Sequence, residues 1–459
     1  MASSLGSCAS PRGQWKGEVR VPSRWQSQKP GNLPLNTTAI RQWWKRFNDP
    51  VLDALIVQGL AASPDIKTAL SRITQARGER SVVLSGLLPS VTGSASDRLD
   101  RQDEQTTGLV TRSQTSNLSL DMSWEIDLFG RRLQNLAAST KDVQQTVENY
   151  YAAQVTLTAD VASAYITVRG AQARLEVLQR NVKTRRETTQ MTRWKQEAGI
   201  SDMLEVQQAA STLDQARAAI PTIEQTISET KNQLAVLCGQ TPGKLDGLLD
   251  RPRSLPPVPA KIAAGIPTEA LRNRPDVRAA EDAVLAAYHR KTAAELERLP
   301  TVNLSGSLGL EALRTGTLFS PEAAARTLAG SLLAGLSQPV FEGGRITANI
   351  RINAAKAKQA VFSYESTVLT ALSEVENAMV AIRRSTERLG ILRTADQAAS
   401  EASKLATRQY ESGSVDLLTV LDVQRTQLSV EEQRVSTEAE QLNSYVQLYK
   451  SLGGGWQPL

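Results

Sequence analysis

An internal duplication constrains the fold of this chain more than any other feature of its sequence. A shift of 214 positions places the second half on the first without a gap. The matched residues are Gly130 and Gly344, Tyr150 and Tyr364, Glu197 and Glu411, Gly199 and Gly413, Asp202 and Asp416, and Leu204 and Leu418. Upstream the offset is 211, because Pro64-Asp65 matches Pro275-Asp276. An ordered series of this kind indicates two repeats of one structural unit.

Prolines mark the boundary between the two repeats. Five of them lie from Pro242 to Pro259, and this segment is predicted to be an extended connector because proline disfavours a helix. The predicted domains are an N-terminal segment at 1–62, repeat 1 at 63–239, the connector at 240–262, repeat 2 at 263–452 and a tail at 453–459.

Each repeat is predicted to contain a very long helix followed by a return helix. From Leu133 to Val182 an apolar stripe advances in alternating steps of three and four, interrupted only by Thr140 and Gln154. Such a sustained period is typical of coiled-coil packing. The predicted ranges are 131–197 and 201–238 in repeat 1, and 345–411 and 415–452 in repeat 2. Each long helix would extend about 100 Å at 1.5 Å per residue.

Each repeat also contains a pair of segments with the period of a β-strand. Leu118 and Leu120 alternate with Ser119 and Asp121, which is typical of a strand with one apolar face. Strands are predicted at about 90–96 and 117–126 in repeat 1, and at about 301–310 and 328–338 in repeat 2. The mostly polar connections at 97–116 and 311–327 are predicted to be outward loops.

Four such strands are too few to close a barrel, so we expect the chain to form an oligomer. An open sheet edge in lipid would leave backbone N–H and C=O groups without partners. Three chains that contribute four strands each would give twelve strands and a closed wall. The predicted fold is therefore a mixed α and β membrane protein, in which a trimeric twelve-stranded β-barrel is continued by a long α-helical barrel of coiled-coil hairpins.

The composition argues against several other classes of function. The chain has one histidine, His289, and two cysteines, Cys8 and Cys238, which cannot build a zinc site or a zinc-protease motif. No catalytic constellation is present, so we expect no enzyme activity, metal or cofactor. The 53 basic and 47 acidic residues are scattered along the chain, and nucleic-acid binding is therefore not expected.

Ordered motifs over nearly the whole chain resemble the TolC/OprM class of outer-membrane efflux channels, in particular its NodT-like lipoprotein branch. These motifs are Trp43-Trp44 with Phe47-Asn48-Asp49-Pro50, Trp124-Glu125-Ile126-Asp127-Leu128-Phe129-Gly130-Arg131, Asn273-Arg274-Pro275-Asp276-Val277, Gln338-Pro339-Val340-Phe341-Glu342-Gly343-Gly344-Arg345 and Leu418-Thr419-Val420-Leu421-Asp422-Val423-Gln424. Each motif is weak alone, whereas their order within a duplicated chain is specific.

The resemblance implies a passive exit duct for small molecules in the outer membrane of a Gram-negative bacterium. Such a duct is a homotrimer and one component of a tripartite efflux pump, with a periplasmic adaptor and an inner-membrane pump as partners. Leu418 and Asp422 would match the constriction at its periplasmic end, where three Asp422 carboxylates would form an acidic ring. The hairpin turns expected to contact the adaptor comprise Gly199, Ser201, Asp202, Leu204, Gly413, Ser414 and Asp416.

One position departs from the family's pattern. Members of this branch can have an arginine directly after the tyrosine near the hairpin turn, and that arginine ties the closed gate. Here Tyr410 is followed by Glu411. A basic partner for Asp422 must then come from elsewhere, and Arg425 and Arg408 are the candidates.

The N-terminus contains a possible acylation site. Leu5-Gly6-Ser7-Cys8 resembles a lipobox, which implies a palmitate-bearing lipid anchor at Cys8 and an N-terminal segment that continues into the equatorial part of the fold. Only seven residues precede Cys8 and none is basic, whereas a secretory signal has a basic start and about 7–15 apolar residues. Two interpretations stay open: a signal upstream of this sequence, which we favour, or an incidental Cys8.

Two other classes of protein share long helices with this chain. A rod or filament protein would have the heptads but no alternating strands near Leu118 or Val302. A periplasmic adaptor would have lipoyl-like and barrel segments around one hairpin, not two duplicated hairpins with strand pairs. The sequence pattern therefore favours the channel over both alternatives.

Overall fold

The computed structural model describes residues 21–26, 40–104, 109–251, 253–259, 267–315 and 325–459. Its helices are α1 (Pro50–Ala62), α2 (Pro64–Ser85), α3 (Arg131–Glu197), α4 (Met203–Leu237), α5 (Asp246–Leu249), α6 (Pro267–Asn273), α7 (Pro275–Leu296), α8 (Arg345–Glu411) and α9 (Leu417–Ser451). Its strands are β1 (Ser90–Glu104), β2 (Leu109–Ile126), β3 (Thr301–Thr315) and β4 (Ala325–Ser337). Within these ranges, none of the helices combines the length and the apolar character that crossing a membrane requires.

The four strands form one antiparallel sheet in the order β1-β2-β3-β4. Ser90 of β1 pairs with Ser123 of β2, and Leu118 of β2 pairs with Leu310 of β3. The central pair, β2 and β3, joins the two sequence repeats through a backbone ladder. In the described part of the chain, β1 and β4 each pair with one neighbour only and form the two edges of the sheet.

The strands are longer than the alternating pattern predicts. Residues 97–104 and 109–116 belong to β1 and β2, so the prediction of an outward loop across 97–116 was wrong there. Likewise β3 continues to Thr315 and β4 begins at Ala325, within the predicted loop at 311–327. The strands extend further because the hydrogen bonds between them are formed by backbone groups and do not require apolar alternation. Polar side chains can also pair across neighbouring strands. Asp97, for example, accepts hydrogen bonds from Gln114 Nε2 at 2.9 Å and Ser116 Oγ at 2.8 Å.

An aromatic cluster fixes the start of α1. Trp43, Trp44 and Phe47 lie on a short 3-10 helix and are almost fully buried, and Trp43 stacks on Tyr449 with ring centroids 5.1 Å apart. Asn48 ends that helix in the left-handed region at φ 46°. Asp49 then caps α1, because its carboxylate accepts a hydrogen bond from the Val51 amide at 2.9 Å.

The long helices span Arg131–Glu197 and Arg345–Glu411, each 67 residues, which are the ranges that the hydrophobic period predicts. The return helices, predicted at 201–238 and 415–452, are slightly shorter at Met203–Leu237 and Leu417–Ser451. Each begins directly after an aspartate cap, Asp202 or Asp416, whose side chain accepts a backbone amide three residues ahead. These caps explain why the residues just before them remain non-helical.

The predicted extended connector at 240–262 needs one correction in its described part. Residues Asp246–Leu249 form the short helix α5, and Leu249 is fully buried. No proline lies between Pro242 and Pro252, so that stretch can turn into a helix that inserts an apolar side chain into the core.

The chain folds into two compact units, each built from both repeats. Of the described residues, one unit comprises 72–104, 109–146, 279–315 and 325–364 and contains the sheet. The other comprises 21–26, 40–71, 147–251, 253–259, 267–278 and 365–459 and contains the aromatic cluster and both hairpin turns. The predicted repeats are therefore units of sequence, whereas each compact unit combines equivalent parts of both.

Candidate functional site at the hairpin turns

The first hairpin turn reverses the chain between α3 and α4. Gly199 has φ +72°, a conformation that side chains other than glycine rarely adopt. The Ile200 amide donates to the Lys195 carbonyl at 2.8 Å, which closes the end of α3. Asp202 caps α4 by accepting the Glu205 amide at 2.9 Å, and Ser201 Oγ donates to the Glu205 carboxylate at 2.5 Å.

The second hairpin turn repeats this geometry between α8 and α9. Gly413 has φ +78°, and the Ser414 amide donates to the Gln409 carbonyl at 2.8 Å. Asp416 caps α9 by accepting from the amide of Thr419 at 2.9 Å and from its hydroxyl at 2.6 Å. These hydrogen bonds, the hydroxyl first, lower the pKa of Asp416.

Both turns present accessible residues for contact with another protein. Gly199, Asp202, Gly413, Ser414 and Asp416 are exposed, and Ser201 is half-buried. Two apolar side chains beside them are also exposed, Leu204 by 62% and Ile200 by 75%. The predicted contact residues thus lie together at the turn of each hairpin. Cys8, the predicted lipidation site, lies outside the described residues.

Tyr410 connects the two hairpins just before the second turn. Its ring is buried, and Lys195 Nζ lies 3.8 Å from the ring centroid and donates to the Tyr410 carbonyl. The Tyr410 hydroxyl lies 3.2 Å from Thr192 Oγ1 and donates to the Glu205 carboxylate at 3.4 Å. Burial raises the pKa of Tyr410, so the hydroxyl remains a donor at neutral pH.

Leu418 and Asp422 share an exposed face of α9. The adjacent residues Leu417 and Val420 are fully buried, whereas Leu418 is 58% exposed and the Asp422 side chain 63%. Asp422 forms a salt bridge with Arg425, one turn further along the helix. Of the two basic candidates, the structure thus pairs Arg425 with Asp422. Because both side chains are exposed, the pair contributes at most about 1 kcal/mol and can break readily.

The two repeats differ at one of the two positions that form this exposed face. Leu204 of α4 occupies the position that corresponds to Leu418, and it is exposed to a similar extent. The position that corresponds to Asp422 holds Gln208. Each chain therefore contributes a single carboxylate of this type, and it comes from repeat 2.

A groove of about 810 Å³ runs along the same face between α4 and α9, with α3 beneath it. Its lining includes Leu418, Leu421, Asp422 and Arg425 from α9, together with Arg185 from α3. Sequence reasoning missed Arg185 and the Tyr410 contacts. Arg185 does carry a signal, because it lies three residues after Val182, at the next step of the apolar stripe, where a charge is unexpected.

The chain is similar to a described protein family and to individual proteins over nearly its whole length. The sequence profile of a family described as "Outer membrane efflux protein" matches residues 55–240 and 266–454, and so covers both repeats. The pyoverdine export outer membrane protein OpmQ of Pseudomonas putida is 30% identical over 480 residues, which cover 99% of this chain and 96% of that protein.

Two further proteins extend the comparison. Nodulation protein T of Rhizobium leguminosarum bv. trifolii is 28% identical over 453 residues, covering 96% of this chain and 93% of that protein. The solved structure of the outer-membrane channel OprN superimposes with a TM-score of 0.87 at 33% identity, covering 97% of this chain and 99% of that one.

Proposed function

The chain belongs to the outer membrane efflux protein family, and from this premise we propose how it assembles, closes and meets its partners. It is an outer-membrane channel of the NodT type that serves an efflux pump, and it is not an enzyme. The observation that carries the proposal is the exposed face of Leu418 and Asp422, next to a hairpin turn that the duplication repeats.

The functional unit is a homotrimer. Two open sheet edges, β1 and β4, need partner strands in a membrane, and three copies of the sheet supply twelve strands that can close. Exposed apolar side chains on α8 support contact between subunits: Leu369, Ile391 and Leu405 are 57%, 72% and 55% exposed. Ile391 and Leu405 lie fourteen residues apart, two heptads, as a coiled-coil seam requires.

The periplasmic end of the duct closes around Leu418 and Asp422. In a trimer with this face toward the axis, three leucines form an apolar constriction and three aspartates form an acidic ring beside it. In the closed form the Tyr410 contacts hold α8 against α3 and α4, and the Gln424 amide holds α9 against Thr188 of α3. The Arg425 salt bridge lies within α9 and positions only the Asp422 side chain. Substances that pass the duct include small molecules handed over from the periplasm or from the pump.

A periplasmic adaptor and an inner-membrane pump are the partners of this channel. The two similar turns, Gly199 to Leu204 and Gly413 to Leu418, give six contact sites per trimer, and their exposure supports adaptor docking. The exposed apolar residues Ile200 and Leu204 suit a hydrophobic contact rimmed by polar caps.

Crosslinking in cells tests this contact. Cysteine at Ser201 or Ser414 should crosslink to the adaptor when a short bifunctional thiol reagent is added, because both serines lie at accessible turns. Cysteine at Ser331, on strand β4, serves as the control and should give no adaptor product. Adaptor products from the strand site alone would place the contact elsewhere.

Anchoring in the outer membrane involves a lipid at Cys8, in addition to the strands. When the protein is expressed from its native gene, radioactive palmitate should label the wild type and not the Cys8→Ser variant. Cys238→Ser is the matched control and should keep the label, because Cys238 is fully buried and burial raises the pKa of its thiol to about 11. Equal labelling of wild type and Cys8→Ser would exclude this anchor.

A further inference from the structure

Arg185 is a buried cation whose side-chain hydrogen bonds, within the described part of the chain, go to neutral acceptors. It is 7% exposed, and its Nε donates to Asn181 Oδ1 at 2.8 Å while Nη1 donates to the Thr212 carbonyl at 3.2 Å. Burial lowers the pKa of Arg185, and the positive charge of Arg425 lowers it further. A buried charge without a counterion is costly, and proteins commonly compensate it with a bound or paired anion.

The carboxylates that line the groove are already paired with other arginines. Asp422 forms its salt bridge with Arg425, and Glu432 accepts from Arg174 at 3.3 Å. Among the described residues, Arg185 forms no salt bridge of its own, although it lines the groove. The two arginines and two carboxylates of the lining balance in number, but Glu432 is paired with Arg174, which lies outside the lining. Arg185 is therefore the one charged lining residue without a salt bridge among the described residues.

The remaining lining is amphipathic. Its larger apolar side chains are Leu178 of α3 and Leu418, Leu421 and Leu428 of α9. Its amide side chains are Gln207, Gln208 and Gln215 of α4. The volume of about 810 Å³ lies within the range of roughly 300–1,000 Å³ that small-molecule sites occupy.

We propose that this groove binds an amphipathic organic anion, whose carboxylate or sulfonate lies on Arg185 and whose apolar body lies on the leucines. The planar guanidinium suits an oxyanion, and the neighbouring amides can donate to the same group. The inference rests on the proposed function, because a groove shared with Leu418 and Asp422 lies in the path of exported molecules only if that face lines the duct. Anionic substances would then bind transiently beside the acidic constriction.

Equilibrium binding to the trimer in lipid nanodiscs tests the proposal. The probes are anilinonaphthalenesulfonate, which is anionic, and phenylnaphthylamine, its neutral analogue, and the fluorescence of empty nanodiscs is subtracted for each. Arg185→Gln should weaken binding of the anionic probe about tenfold, because it removes a charged hydrogen bond. Binding of the neutral probe should stay unchanged.

Two further variants test whether binding of the anionic probe depends on charge within the groove. Arg186→Gln removes the same charge from the next residue, which is exposed outside the groove, and should leave both probes at wild-type affinity. Gln208→Glu adds a carboxylate to the groove without altering a buried residue, so it should also weaken the anionic probe selectively. This variant tests the charge of the groove even if Arg185→Gln fails to fold.

Each contrary result has a distinct meaning. If Arg185→Gln and Gln208→Glu both bind the anionic probe as the wild type does, the site does not exist. If the variants lose affinity for both probes to the same extent, the groove binds through apolar contacts only, and Arg185 does not bind the anionic group. Single-channel conductance of the wild-type trimer distinguishes a failure of the anion site from a failure of the proposed channel function. If the trimer conducts but does not bind the anionic probe, only the anion site is wrong. If the trimer does not conduct, the proposed channel function is wrong.

Discussion

Replacing Leu418 and Asp422 together by alanine should raise the single-channel conductance several-fold in planar bilayers and lower the preference for cations. The leucine side chains would form the narrowest apolar part of the closed duct, and truncation to alanine widens it. The aspartates would supply the negative charge beside it. The double variant should also make cells permeable to large antibiotics that the closed wild-type channel excludes.

The cation preference should depend on salt. Three carboxylates around one axis attract cations and repel anions, and mobile ions screen this field over a Debye length of about 8 Å at physiological ionic strength. Wild-type selectivity should therefore fall as the salt concentration rises, whereas the double variant should show little change. Asp422 is paired with Arg425 through an exposed and weak salt bridge, so this arginine neutralises the carboxylate only in part.

The duplication provides the matched control for this experiment. Leu204→Ala with Gln208→Ala changes the corresponding positions of repeat 1 and removes no carboxylate. Its cation preference should equal that of the wild type. If the Leu418 and Asp422 double variant keeps wild-type conductance and selectivity, Asp422 is a surface charge and the constriction lies elsewhere.

Asp49→Ala should lower the free energy of unfolding by about 3 kcal/mol, from the loss of a helix cap and of a charged hydrogen bond. Asp49 is 7% exposed and caps α1, and the buried Tyr165 hydroxyl donates to its carboxylate at 2.5 Å. Tyr165 in turn accepts from Arg169 Nε at 3.2 Å, and Arg169 is fully buried. Removing the carboxylate leaves both partners without the negative charge that organises them.

Thermal unfolding followed by circular dichroism measures this effect. Burial raises the pKa of Tyr165 to about 12, so the hydroxyl stays protonated and the loss should be equal at about pH 6 and about pH 8. Asp65→Ala is the control, because Asp65 is an exposed acid in the first turn of α2, and it should change stability by no more than about 0.5 kcal/mol. Equal unfolding temperatures for the two variants would contradict the role given to Asp49.

The features that were predictable from sequence are those with a local cause. The long helices follow from a period of three and four over many turns, and their ends coincide with Glu197 and Glu411, just before glycines that reverse the chain. The strand extents could not be derived in the same way. Residues 97–104 have no apolar alternation, and their structure depends on a pairing partner in β2.

The same distinction between local and tertiary causes applies to the residues of the candidate site. Leu418 and Asp422 were predicted through resemblance and spacing, since positions four apart share a helix face. Arg185 was not, because its surroundings come from α3, α4 and α9 at once and its neutral acceptors are visible only in three dimensions. The contact between Lys195 and Tyr410 similarly joins residues of different repeats.

Native mass spectrometry of the protein released from detergent tests the central claim most directly. We expect a species of three chains that survives at concentrations where weak complexes dissociate, because the described sheet has two open edges that require partners in the membrane. Cys8→Ser should give the same species, since the strands alone hold the trimer. A stable, folded single chain under these conditions would contradict the closed barrel, and with it the duct and its gate.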